Sequence, residues 1–176
     1  MADYVVNIAI DAVIDALKAF ILPFYLAQPD SDTANIVRGQ GNRVAMPPSP
    51  CIVLTEVLQQ PLETPIQVWP NADPSSVLSI TGPKRIDIQI DIYGPTAGDI
   101  STALENIFRT SYACDQFPDN IKPLYSSDSL QAPLITGEEQ YETHWLLTAT
   151  LQYNPTLTVP QQSATALAID IFEDIP

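Results

Sequence analysis

Asp87, Asp91 and Asp99 come nearest, in type and spacing, to a set of reactive side chains. Converging carboxylates hold hard divalent cations through oxygen, and such an ion could activate water for hydrolysis. Asp87 and Asp91 alternate with isoleucines, however, and on one face of a strand they stand about 13 Å apart, too far to share one ion. Asp99 would have to fold back to join them, and alternating surface charge explains the pattern without a metal. No metal is assigned, and a small divalent-metal hydrolase stays as the enzymatic alternative. The only histidine, His144, sits beside Trp145. A Ser/His/Asp or Cys/His arrangement would need it, yet neither Gly-x-Ser-x-Gly nor a patterned cysteine accompanies it. It is expected at a surface or rim. Cys51 opens the apolar run CIVLTEVL and is expected to be a buried, inert thiol, with Cys114 a second free thiol. Gly39, Gly41, Gly94 and Gly98 do not make a phosphate-cradling spacing, so no cofactor is expected.

The elements that must position these residues are legible around them. Lys84 to Tyr93 reads KRIDIQIDIY, with isoleucines at 86, 88, 90 and 92 alternating with polar residues before a Gly94-Pro95 stop. That predicts a strand with one face in a core and one face wet. A helix from about Thr96 to Arg109 follows, carrying Ile100, Ala103, Leu104, Ile107 and Phe108 on one side. Cys51 to Leu58 predicts a central strand. Pro65 to Trp69 and Val77 to Thr81 predict a hairpin with its tip at Pro70 to Ser76, pairing with Lys84 to Tyr93 as an antiparallel meander. A loop containing Cys114 and Pro118 precedes strands near Ile121 to Ser127 and from about Gln140 to Tyr153. Leu167 to Phe172 reads as a last short strand or a terminal arm, and Gln28 to Pro50 as irregular chain. In the first 26 residues Asp3, Asn7, Asp11, Asp15 and Lys18 form one polar stripe on an otherwise apolar helix. One sheet covers about half of such a helix, so the remainder meets a neighbouring subunit or stays open, as on many monomers.

The expected fold is therefore α+β, with helices packed on one face of an antiparallel sheet and a projecting hairpin or long strand. At 176 residues one domain is expected over 1–176, divided into an N-terminal helix at 1–26, strands at 51–93, a second helix at 96–109 and C-terminal strands at 121–173. Seven basic against twenty-one acidic residues give a net charge of −14, which argues against a surface that grips phosphate backbones. The same excess suits solubility, or a passage through which DNA slides without sticking. Seventeen prolines against six glycines make stiff connections. Tyr4 to Leu26 carries Asn7, Asp11, Asp15 and Lys18, so it is not expected to span a membrane. The start of the chain lacks a signal-peptide pattern, and folding in a reducing cytoplasm is expected.

Three segments go further. Gln89 to Ala97 (QIDIYGPTA) runs into the second helix with Arg109 and Thr110-Ser111 at its end. Gly137 to Trp145 (GEEQYETHW) and Leu151 to Asn154 through Thr158 to Gln161 form a second block. Together they resemble the tailed-bacteriophage neck or tail terminator proteins over roughly Gln40 to Ile175, with the first helix similar in pattern only. His144 stands where that family commonly has a basic residue, often arginine, beside the tryptophan. The resemblance implies a virion structural protein without catalytic activity, assembled in the host cytoplasm as a homo-hexameric ring at the head-proximal end of the tail. It would stop polymerisation of the tail tube protein, meet the head-tail connector or stopper, and leave a channel for genomic DNA that is not specifically bound. A head-completion or stopper connector protein is the alternative within that class. In such a ring Glu138, Glu139 and Glu142 are expected to line the channel, and Arg38, Arg43, Arg85 and Arg109 to make ion pairs between subunits.

Overall fold

In the computed structural model, which describes residues 5–41, 45–69, 77–135 and 141–160, the elements run as follows. The first half holds β1 (Val5–Val6), α1 (Ile10–Leu26), β2 (Ile36–Arg38), β3 (Cys51–Pro61), β4 (Ile66–Val68), β5 (Val77–Thr81) and β6 (Lys84–Tyr93). The second half holds α2 (Ala97–Phe108), α3 (Ser111–Gln116), β7 (Ile121–Ser126), β8 (Leu130–Gln131), β9 (Leu134–Ile135), β10 (Tyr141–Glu142), β11 (His144–Tyr153) and β12 (Thr156–Pro160).

The isoleucine alternation makes β6 the middle of the main sheet, ordered β2-β3-β6-β11-β7, with β8 also pairing β11. Every pair in it is antiparallel except β2 with β3, which is parallel. Ile86, Ile88, Ile90 and Ile92 are wholly buried, as are Leu147, Ala149 and Leu151 on β11. Against that face pack Val13, Leu17 and Ile21 of α1 and Ala97, Ile100 and Leu104 of α2, while Phe20, Phe108 and Phe117 meet at tilted angles beside them. The helices thus cover one face of the sheet, as the sequence predicts. Gly94 ends β6 with φ +121°, and a Cβ there would come within 3.0 Å of Pro50 Cβ, so both backbone and space require glycine. Next to it, the Tyr25 hydroxyl donates to the Pro50 carbonyl at 2.6 Å and ties α1 to the start of β3.

Beyond the core, the strands continue into an arm. Thr81 pairs Thr156 in the same register in which Lys84 pairs Tyr153, so β5 and β12 prolong the β6/β11 ribbon across Gly82-Pro83 and Asn154-Pro155. The two prolines lack the N–H that an unbroken ladder needs, and the break is bridged by Gly82 N–H to the Pro155 carbonyl and Leu62 N–H to the Pro83 carbonyl. β4 and β1 flank this extension in a second sheet ordered β1-β12-β5-β4. The projecting hairpin expected from the sequence is β4–β5.

Several expectations change. The first helix begins at Ile10; Val5 and Val6 instead pair with Thr158 and Leu157, and the Asn7 side-chain oxygen accepts from Thr156 N–H. An edge of β12 satisfies backbone groups that an exposed first helical turn would leave to water. Asp11 and Asp15 stay on the outer side of α1. Val77–Thr81 is collinear with Lys84–Tyr93 and does not pair with it. The Gln28–Pro50 stretch contains β2, and Cys114 lies on α3. The long strand divides at Thr143 into β10 and β11, and β12 adds a strand that periodicity did not mark. The expected strand at Leu167–Phe172 and the hairpin tip at Pro70–Ser76 lie outside the described residues.

Because Leu104 is fully buried between α2 and the sheet, Leu104→Ala is expected to cost about 3 kcal/mol. A urea titration followed by circular dichroism would read this as a lower midpoint with an unchanged slope.

Candidate functional site

Arg85, Asp87, Gln89 and Asp91 alternate with the core isoleucines, so they stand on the face of β6 opposite the helices. The sequence predicts that this face is wet. Asp87 and Asp91 are instead only 8% and 7% exposed. Each is held by its neighbours along and across the sheet. Arg85 donates to both Asp87 oxygens, from Nε at 2.8 Å and Nη2 at 2.7 Å, and Thr150 Oγ1 on β11 donates to Oδ1 at 2.9 Å. Gln89 Nε2 donates to Asp91 at 2.9 Å, and His144 Nε2 stands 2.9 Å from Asp91 Oδ1. Charge-assisted bonds of this kind offset the cost of taking a carboxylate out of water. Donating to Asp87 also raises the pKa of the Arg85 guanidinium.

These contacts bear directly on the carboxylate triad. Asp99 is exposed on α2, across the sheet from Asp87 and Asp91, whose oxygens already accept from Arg85, Thr150, Gln89 and His144. Among the described residues no three His, Cys, Asp or Glu side chains are grouped so as to hold a metal.

His144, Asp91 and Cys51 do gather at one end of this face, because Tyr93 pairs His144 on one side and Cys51 on the other. The composition is that of a thiol hydrolase, but the arrangement is not. Tyr93 lies between the other two, its ring stacked on His144 at 4.3 Å with 5° between the planes. Cys51 and His144 are therefore two strands apart, about 9.5 Å, beyond proton-transfer reach. Burial, with Glu142 nearby, pushes the Cys51 thiol up to about 11, which leaves it protonated and unreactive at neutral pH. Cys51 is the buried thiol that the sequence predicts, at 1% exposure. His144 is mostly enclosed rather than on a rim. Burial also raises Tyr93 to about 12, with the charge of Asp91 as the next cause.

The described arginines all have partners within the chain. Arg38 pairs with Asp11 and lies 3.7 Å from Glu56; Arg85 pairs with Asp87. Arg109 meets Glu105 at 3.0 Å and Asp128 at 2.7 Å, and sits 5.3 Å from the centre of the Tyr125 ring. Glu142 is on β10, paired with β9, near enough to Tyr93 and Cys51 to raise both. Arg43, Glu138 and Glu139 lie outside the described residues. Sequence reasoning did not find the roles of Thr150, Gln89 and Tyr93. The only available signal was that the polar alternations of β6 and β11 have matching lengths, and it does not reveal which residues face each other.

The model of a family described as phage neck terminator protein matches residues 11–175. The chain belongs to that family. A search of curated proteins finds no match. The terminator family is a structural one, and its members are phage neck proteins that meet other head or tail proteins. In this terminator-family chain the polar network across β6 and β11 holds strands in register, and its carboxylates are already occupied by protein donors.

Two outcomes follow. Thr150→Val removes a donor from a buried carboxylate and is expected to lower stability by about 2 kcal/mol in chemical denaturation. The raised pKa values of Cys51 and Tyr93 mean that the unfolded chain ionises first as pH rises, from ordinary values of 9.0 and 10.0. Stability from these groups is thus complete below pH 9 and is lost progressively up to about pH 12. Denaturation midpoints measured against pH are expected to fall through that window, and Cys51→Ala is expected to flatten the early part of the fall.

Proposed function

We propose that the protein forms a homo-hexameric ring at the head-proximal end of a phage tail, where it ends polymerisation of the tail tube and joins the tail to the head connector or stopper. Membership of the neck terminator family over residues 11–175 carries this reading. A small α+β body with a protruding arm supports it, since a ring needs each subunit to present two different surfaces. The central opening passes the genome without binding it. A chain with a net charge of −14 suits such a lining because it repels phosphate. Glu142, with Glu138 and Glu139 close to it in sequence, is assigned to the channel. Arg38, Arg43, Arg85 and Arg109 are assigned to contacts between subunits, with Arg38 and Arg109 the more able to exchange partners because Asp11 and Asp128 are exposed. The protein acts without catalysis: His144, the buried Cys51 and the paired Asp87 and Asp91 are engaged in structure. It assembles in the host cytoplasm and ends in the virion neck.

Deleting the gene from its phage and imaging the lysate by negative-stain electron microscopy tests this. Full heads separate from tails of abnormal or uneven length are expected. Separate heads beside tails of normal length would instead place the protein on the connector side of the joint, as a head-completion or stopper protein. Intact infectious particles would overturn both.

A further inference from the structure

The sheet of the arm is the least charged part of a very acidic chain. β1, β12, β5 and β4 contain no Asp, Glu, Lys, Arg or His, against a net charge of −14 for the whole. Leu78 is its only buried residue. At one edge, on β1, Val5 and Val6 are 61% and 51% exposed; at the other, on β4, Ile66 and Val68 are 58% and 55% exposed, with Trp69 following at 59%. Among the described residues the two-residue β1 pairs only with β12 and the three-residue β4 only with β5, so the few outward backbone groups of each have no strand partner there. Open apolar edges of this kind are templates for a further strand.

The two edges are on opposite sides of one sheet. A copy that offers its β1 to the β4 of the next copy keeps its own β4 free, and this head-to-tail contact closes into a ring where the rotation permits. Charge points to the same occupant. Two surfaces of so acidic a chain repel one another unless a basic residue or uncharged surface lies at the contact, and the arm edges meet the second condition. We propose that β1 of one subunit pairs with β4 of the next, so that the arm sheets join edge to edge around the ring. Val57, Leu58 and Leu62, exposed beside β4 along the same flank, extend the contact towards the roughly 1,000 Å² that a specific interface needs. The proposal rests on the ring reading above and adds the identity of its seam.

Cysteine cross-linking tests it in assembled tails. A phage lacking the gene is supplied with the full chain carrying Cys114→Ser, one edge cysteine from Val5→Cys or Val6→Cys, and the other from Ile66→Cys or Val68→Cys. Paired strands hold opposed Cα atoms about 4.5 to 5.5 Å apart, within disulfide reach. After treatment of purified tails with oxidised glutathione, at least one of the four combinations is expected to give a ladder of covalent multiples of the chain on a non-reducing gel. Reductant is expected to collapse the ladder, and chains with one edge cysteine are expected to give none. Tails of normal length with no ladder from any combination would overturn the seam while leaving the ring reading intact. A dimer from a single-cysteine chain would overturn head-to-tail pairing, and a cross-link to a different virion protein would assign the edge to that partner instead. Absence of the wild-type chain from purified tails would sink the ring reading itself. Where cysteine chains fail to restore tails, Val6→Lys and Val68→Lys decide, with circular dichroism confirming their fold. Each is expected to reduce properly capped tails at least tenfold, and undiminished capping by both would overturn the seam.

Discussion

The two-sided environment of β6 is the constraint on which the remaining structure depends. On one side four isoleucines are removed from water by α1 and α2. On the other, two aspartates are nearly as enclosed but are tied to Arg85, Thr150, Gln89 and His144. A one-residue slip of β6 against β11 would drive carboxylates into the helical layer and part Asp87 from Thr150 and Asp91 from His144. The register is therefore specified from both faces, and β3 and β7 are added to a pair whose alignment is already determined.

That register reaches beyond the core. β5 and β12 carry on the alignment of β6 and β11 after a proline on each strand has interrupted the ladder. The body thereby determines where the arm points, although the arm buries little of its own surface. The division of charge follows the same boundary: the carboxylates of the described elements belong to helices, loops and the strands outside the arm, and the arm strands have none. An acidic body and an uncharged arm are thus separated along a single ribbon.

Residues that could be read as catalytic serve this architecture. His144 braces Asp91 and stacks on Tyr93, and Cys51 is sealed beneath the same end of the sheet with its thiol held protonated. An orienting carboxylate, an imidazole and a thiol are all present, but the strand spacing keeps the last two apart. Strand pairing, rather than the absence of any residue type, prevents these groups from acting together.

The sequence alone determined the elements whose signal is local. Isoleucines at every second position must lie on one face of a strand, Gly94-Pro95 must end it, and the Ile100, Leu104 and Phe108 spacing must bury one side of a helix, whatever else the chain does. The neck terminator resemblance was likewise carried by contiguous segments. Tertiary structure alone decided the pairings: that Thr150 and not another hydroxyl meets Asp87, that Asp99 lies across the sheet from Asp87 and Asp91, that Val5–Val6 leave the helical pattern to join β12, and that Thr156–Pro160 is a strand. Apart from the placement of Asp99, each of these joins residues far apart in the chain, and two-residue or proline-flanked strands have no periodicity to announce them. Their stability comes from the neighbour they pair with, so no window of sequence that omits the neighbour contains the information.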